Sequence, residues 1–327
     1  DGTRATKLAE RDGRVVVTTE TGQVRAGHAV LATLLPFDDM GGFFAKTRPS
    51  RSYGIAARVA GSALEGMHIS IDEPSWSTRP WSDKGSQGVI VVGQGHEVGA
   101  DEVGPERWDR LEEWADRHFD VESCDYRWSA EDFVTEDGAP YIGRSPRRRR
   151  TFVATGFGKW GLSAGTAAGV ILSELVQGRS HPWLPAVDAT RIGDARTVTR
   201  LVVDNLHVAK RFVGDRLRAS RKPSADALAP GTGGLVRLGD RTVGGYREAD
   251  GTLHAVRPTC THLGCRLHWN GAERSWDCPC HGSRFDYRGQ VLEGPAVTPL
   301  TVIDARDDAS ADSVSSPVVS RWPTAPD

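Results

Sequence analysis

A chain of 327 residues with 38% hydrophobic and 26% charged residues and a formal net charge of −2 is long enough for about two globular domains. That balance excludes a disordered chain and a basic nucleic-acid binder, and the longest apolar run, 167–176, falls far short of the roughly 18 residues of a membrane-spanning helix. Five cysteines, four of them clustered, are too few for a secreted disulfide scaffold of this length, so a metal or redox site is expected; Cys124 stands apart and reads as a buried small hydrophobe.

In chain order, the sequence begins at Asp1 with text that reads like the middle of a domain, so an N-terminal truncation is expected. "RVVVTT" (14–19) and "HAVLAT" (28–33) are β-branched runs around a Thr-Gly turn and predict a hairpin. Runs at 51–60, 67–72 and 88–95 predict further strands of a mixed sheet. Residues 105–119 place Trp108, Leu111, Trp114, Ala115 and Phe119 at helical spacing behind a first-turn proline, an amphipathic helix to cover that sheet. "RSPRRRR" (144–150) reads as a solvated loop. Residues 151–178 predict a strand, a glycine-rich turn and a helix ending at Gly178. Residues 196–218 form one apolar helical stripe in a basic neighbourhood, read first as an interdomain packing helix and second as one that docks a partner or a membrane surface. Residues 222–234 have a linker's composition. From Leu235 onward, turns at Asp250-Gly251, Asn270-Gly271 and Arg288-Gly289 between short apolar runs predict a small all-β domain, and the Asp/Ser/Pro-rich tail from Asp307 predicts fraying.

Within that β domain lie Cys260, His262, Cys265, Cys278, Cys280 and His281. Three chemistries compete. A tetrahedral zinc site would use Cys260, His262, Cys278 and His281 and leave two cysteines idle. A disulfide framework ignores the histidines. A [2Fe–2S] cluster held by two thiolates and two imidazoles uses the same four residues as the zinc site.

"CTHLGC" with "CPCHGS" and the trailing "GQVLEGPAVTPL" resemble the two cluster loops and the proline loop of Rieske proteins. The resemblance implies that Cys260 and Cys278 bind one iron and His262 and His281 the other. It implies a disulfide between Cys265 and Cys280, a cluster-tuning hydroxyl at Ser283, and histidines on an exposed side. Neutral imidazoles in place of two thiolates raise the potential. High-potential members carry tyrosine where this chain has Phe285, so a potential below theirs is expected.

"GFGKWG" is a literal GxGxxG, yet no acidic residue ends a following strand, so it does not read as an adenosine-binding fingerprint. Bare amides at a helix N-terminus can instead stabilise charge on a reduced flavin. "DGAPYIGRSP" followed by residues 151–178 is similar to the flavin-contacting C-terminal segment of the D-amino-acid oxidase-like FAD oxidoreductases, and the upstream "HAVLATLLPF" resembles that family's strand that returns to the Rossmann core, a likeness over roughly residues 10 to 180. The resemblance places Gly156, Gly158, Lys159, Trp160, Gly161 and Leu162 nearest the flavin ring. The family's N-terminal βαβ unit is absent from these residues, so retention of FAD is expected of the complete protein. Trp76, Arg79, Trp81, Gln94, His96 and Trp128 offer an aromatic pocket for a carboxylate or serve as ordinary packing; His254 and His268 read as strand residues.

The expected architecture is an α/β (or α+β) flavoprotein portion with a mixed sheet over 1–190, a connecting helix and linker over 191–230, a Rieske domain over 231–306 and a tail over 307–327. The order of parts resembles bacterial fused FAD and Rieske proteins. It implies an oxidoreductase that passes electrons between FAD and a [2Fe–2S] cluster and oxidises an amine or amino-acid-like substrate. The rival expectations are an electron carrier without small-molecule turnover and a Rieske subunit of a respiratory complex. No catalytic residue, electron donor or acceptor is assigned. No nucleic-acid partner is expected, peripheral membrane association stays open, and a cytoplasmic location is expected.

Overall fold

The computed structural model describes residues 2–61, 64–71, 73–83, 85–99, 104–191 and 222–304. The helical stripe over 196–218 and the tail from 307 lie outside the described residues.

The N-terminal portion holds three sheets. β1 (Ala5–Arg11), β2 (Arg14–Thr19) and β3 (Gln23–Ala26) form an antiparallel meander. β4 (Ala29–Leu31) leaves it to pair in parallel with a later strand, so the expected hairpin between 14–19 and 28–33 does not form. The Thr21-Gly22 turn is real, but it returns the chain into the short, exposed β3, whose "QVRA" has no apolar alternation to announce it.

β5 (Thr47–Val59), β6 (His68–Ile69), β7 (Ser77–Asp83), β8 (Ser86–Glu97) and β9 (Val121–Thr135) build a five-stranded sheet in the order β6-β7-β8-β5-β9, antiparallel throughout. Helix α1 (Glu106–His118) covers one face of it, burying Trp108, Leu111 and Ala115 against Tyr53, Ile55, Val89 and Val91. Burying a large apolar side chain such as Leu111 contributes about 1.5 to 3 kcal/mol, which holds the helix to the sheet. β10 (Tyr141–Arg144) and β11 (Thr151–Thr155) join β4 in the order β10-β11-β4, the one sheet of mixed direction among the described residues. α2 (Gly161–Val176) follows and packs Ala168, Ile171 and Leu172 over Ile142, Phe152 and Ala154; a short helix, α3 (Leu184–Val187), closes that layer. The arginine-rich loop before β11 is tied down rather than solvated. Arg148 pairs with Asp38 at 2.6 Å, and Glu10 accepts the amides of Arg149 and Arg150.

The C-terminal domain is all β. β12 (Gly233–Leu238), β13 (Arg241–Arg247) and β14 (Leu253–Val256) form one antiparallel sheet; β15 (His268–Asn270), β16 (Ser275–Asp277), β17 (Arg284–Asp286) and β18 (Val291–Glu293) form the other. The three glycine turns fall at the β13–β14, β15–β16 and β17–β18 connections. Residues of the composition-defined linker are structural: Ala225 and Leu228 pack with Val236, Val243 and Ala255 in this domain's second core.

Candidate redox site

Two loops of the C-terminal domain, one after β14 and one between β16 and β17, are closed by the same pair of backbone hydrogen bonds. The Cys260 N–H donates to Cys265 O at 2.8 Å and the Gly264 N–H to Cys260 O at 3.0 Å. In the second loop the Cys278 N–H donates to Ser283 O at 2.8 Å and the Gly282 N–H to Cys278 O at 3.0 Å. Gly264 and Gly282 both adopt positive φ, 78° and 72°, a turn that any Cβ would strain. This shared fold explains the repeated i, i+4 spacing of cysteine and glycine, Cys260–Gly264 and Cys278–Gly282.

The loops face one another across a buried pocket. Cys265 and Cys280 form a disulfide that joins them. Cys260 and Cys278 remain free and buried. A hydrogen bond with the Cys278 thiol holds Cys260 down to about 7, while the same contact and complete burial push Cys278 well above the usual thiol range. The pair therefore favours one thiolate and one thiol. The sulfurs of Cys265, Cys278 and Cys280 lie within 4.8 Å of one another; since two of these are bonded together, this places the disulfide against the pocket wall. The rings of His262 and His281 stand 5.2 Å apart and nearly perpendicular. Burial lowers both imidazoles, His281 to about 3, and the neighbouring His262 adds to that drop.

The Nδ1 atoms of His262 and His281 are both buried without a hydrogen-bond partner. An unsatisfied buried polar atom costs about 1 to 3 kcal/mol, and few occur in a native fold. Two such nitrogens beside two free buried thiols form a donor set that a metal centre satisfies. Ser283, fully buried, accepts the Ala296 N–H at 3.0 Å through Oγ, and its hydroxyl lies in hydrogen-bonding contact with the Cys260 sulfur. Ala296 belongs to the loop 294–296, which packs into the same core.

The expectation that the histidines lie on an exposed side fails for His281, while His262 is half-buried. His281 is 6% exposed, and the Phe44 ring sits 5.0 Å from it and 6.1 Å from His262. The N-terminal portion covers that edge. Around it, a Cβ built on Gly99 would meet the Pro279 Cβ at 2.2 Å, and Arg4 Nη2 donates to Val291 O at 2.7 Å. Arg51, fully buried, reaches Glu131 at 2.6 Å, Glu293 at 3.5 Å and Asp277 at 4.0 Å. Arg284 adds contacts to Asp277 at 3.3 Å, Glu293 at 3.1 Å and Glu273 at 3.2 Å. Burial raises Glu131 well above the usual carboxylate range despite the pull of Arg51. None of Phe44, Gly99, Arg51 or Glu131 carries a local sequence signal, because their partners lie some 80 residues or more away.

The glycine turn is of another kind. Gly156, Gly158 and Lys159 take positive φ of 75°, 56° and 72°. The Gly158 N–H donates to Phe133 O at 3.0 Å, and the Lys159 N–H to Asp132 Oδ2. Helix α2 starts with Trp160 as its N-cap and without any side-chain cap. Trp160 and Leu162 are 64% and 88% exposed, so first-turn amides and apolar side chains share one open surface with Gly161. Uncapped amides beside exposed apolar groups fit an aromatic ring that gains negative charge.

The aromatic set proposed as a carboxylate pocket does not converge. Trp76 stacks on Trp114 at 5.2 Å, Trp81 lies under Arg58, Trp128 packs over Gly54, and Arg79 is exposed. His254 is a strand residue paired with Glu248 at 2.6 Å, and His268 lies in β15. Cys124 is half-buried, its thiol pushed up to about 12 by burial and the nearby Glu112.

Residues 1–175 match the family of FAD dependent oxidoreductases. The chain belongs to this family. Its residues 223–304 match the Rieske [2Fe–2S] domain. A Bacillus subtilis (strain 168) protein named as a Rieske 2Fe-2S iron-sulfur protein, YhfW, is 36% identical over 88% of this chain and 57% of its own length. The cytochrome b6-f complex iron-sulfur subunit 1 of Synechocystis sp. is 42% identical over 29% of this chain and 54% of its own. The chain thus spans about half the length of these curated relatives. Among solved structures, glycine oxidase from Geobacillus kaustophilus is similar at 18% identity and a TM-score of 0.47, covering 59% of this chain and 53% of that one.

The oxidoreductase family implies FAD for the N-terminal portion and the Rieske domain implies a [2Fe–2S] cluster for the C-terminal one. The pocket of two free thiols and two unpartnered imidazole nitrogens fits the cluster. Among the described residues no helix is long and apolar enough to cross a membrane.

Proposed function

We propose that the complete protein oxidises an amine or amino-acid-like substrate in its flavin portion and delivers the electrons, one at a time, to its Rieske domain. Bound FAD would accept an electron pair from the substrate and release single electrons, for which the [2Fe–2S] cluster is a matching one-electron outlet. In this reading Cys260 and Cys278 hold one iron and His262 and His281 the other. The disulfide of Cys265 and Cys280 fixes the spacing of the two loops, and Ser283 directs its hydroxyl to the Cys260 sulfur. Gly156, Gly158, Lys159, Trp160, Gly161 and Leu162 would form the wall nearest the flavin ring, with the amides at the start of α2 stabilising charge there.

One observation carries the proposal: the buried thiol and imidazole pocket is closed by the flavin portion itself, through Phe44 on both histidine rings. Anaerobic mixing of the complete, FAD-loaded protein with a panel of amines and amino acids tests it. Bleaching of the flavin absorbance with at least one of them is expected. A panel that bleaches none favours the second reading, an electron carrier without small-molecule turnover, which the dispersal of Trp76, Trp81 and Trp128 into separate packing contacts supports. The proposal places the protein in the cytoplasm, and cell fractionation tests that placement.

A further inference from the structure

Strand β9 touches both redox loops with three consecutive residues. Toward the Rieske domain, Glu131 and Phe133 lie against the second cluster loop, where a Cβ built on Gly282 would stand 2.0 Å from Glu131 Oε1 and 2.9 Å from Phe133 Cζ. Only a glycine permits that approach. The residue between them, Asp132, is turned by strand alternation to the other face. There its carboxylate accepts the Lys159 N–H of the glycine turn, while Phe133 O accepts the Gly158 N–H at 3.0 Å. Asp132 Oδ1 also accepts the Phe133 N–H at 2.7 Å, which fixes its orientation.

The strand is anchored at this point by Arg51. Its Nη1 donates to Ser129 Oγ at 2.7 Å, and its Nη2 donates to Glu131 Oε2 at 2.6 Å and reaches Glu293 Oε2 of the Rieske domain at 3.5 Å. Glu131 Oε1, beside Gly282, is buried and has no hydrogen-bond partner. Buried ion pairs contribute little net stability, and their best-attested use is to specify one arrangement over others. Here the arrangement specified is the register between two loops from different domains.

We propose that Glu131, Asp132 and Phe133 are positioning residues that fix the cluster loop and the flavin-facing glycine turn relative to one another through this one strand. The functional meaning rests on the loop assignments of the preceding section. The mechanical coupling does not, and the two can fail separately.

The test uses the full 327-residue chain reconstituted with ferrous iron and sulfide, read by amide hydrogen exchange and by the electron-spin spectrum of the reduced protein. Asp132→Ala removes the acceptor of the Lys159 N–H and of the strand's own Phe133 N–H, without removing a group that touches the cluster loop. It is expected to speed exchange at Gly158 and Lys159 about tenfold, and also to speed exchange at Gly282, on the far face, about threefold, with a changed line shape of the cluster signal. Asp132→Asn, which keeps an acceptor oxygen, is expected to restore both. A response confined to Gly158 and Lys159, with Gly282 and the cluster signal unmoved, overturns the proposal. Should Asp132→Ala not fold, Phe133→Leu keeps the carbonyl used by Gly158 and removes the ring beneath Gly282; faster exchange at Gly282 alone, with Gly158 unmoved, then counts against it. Coupled exchange without any histidine-ligated cluster signal sustains the positioning role and removes the ligand assignment instead.

Discussion

The cluster pocket and the glycine turn meet at one strand and are built by opposite means. The pocket is made of side chains: two thiols, two imidazoles and a hydroxyl within an unbroken run of buried residues from 275 to 285 and the facing loop. The turn is made of backbone: three positive φ angles and an uncapped helix start, with Lys159, Trp160, Gly161 and Leu162 exposed. A metal centre must be supplied with specific donor atoms, and only a few residue types carry them. A helix N-terminus supplies charge stabilisation with amides that every residue type but proline carries. The first kind of site is written in the identity of its donor residues, and the second only in the glycines that let the turn form.

The largest expected effect tests the side-chain half of this contrast. His281→Ala removes one donor, and iron content after reconstitution is expected to fall to near background with loss of the histidine-type signal, while the far-ultraviolet dichroism of the chain is retained. Trp160→Ala, on the backbone-built side, leaves iron content unchanged. Next in size is the joint between the regions. Arg51→Met strands the buried Glu131 and is expected to destabilise the fold by about 3 to 4 kcal/mol in urea unfolding, at the lower end of such losses because Glu131 can take up a proton.

Removing the disulfide with Cys265→Ala and Cys280→Ala is of similar or slightly smaller size. The bond closes a span of 15 residues, for which loop-closure entropy gives about 3 kcal/mol, read as a lower urea midpoint of the Rieske domain. Smaller again is Ser283→Ala. A hydroxyl that donates to a cluster sulfur favours the more negative, reduced state, so its loss lowers the potential; about 1 kcal/mol of hydrogen bond is roughly 40 mV for one electron. An unchanged midpoint in a redox titration contradicts the role given to that hydroxyl. Wild-type protein itself is expected to titrate below the high-potential quinol-oxidising Rieske proteins, in keeping with Phe285.

The pieces that could be read in the sequence are those with local causes. Helix α1, the strand, turn and helix at 151–178 and the three glycine hairpins of the C-terminal domain follow from apolar spacing and turn chemistry within a few residues. The misread pieces have distant causes. β4 pairs with β11, more than 100 residues away, and no local pattern in "HAVLAT" says so. Ala225 and Leu228 have a linker's composition but fill a core whose other walls come from β12 to β14. The histidine edge is covered by Phe44, over 200 residues upstream, so a reading from the loop alone exposes it. Cysteine and histidine thus mark a set of metal donors, the resemblance to Rieske proteins implies which centre they hold, and only the tertiary contacts showed what closes the pocket.

The most direct measurement of the central claim is the low-temperature electron-spin spectrum, with metal analysis, of the full chain after reconstitution and dithionite reduction. Mixed ligation by Cys260, Cys278, His262 and His281 predicts two irons per chain and a rhombic signal of histidine-ligated [2Fe–2S] type, lost in His262→Ala as well as His281→Ala. Bound zinc without iron, or an iron signal indifferent to both histidines, would contradict it.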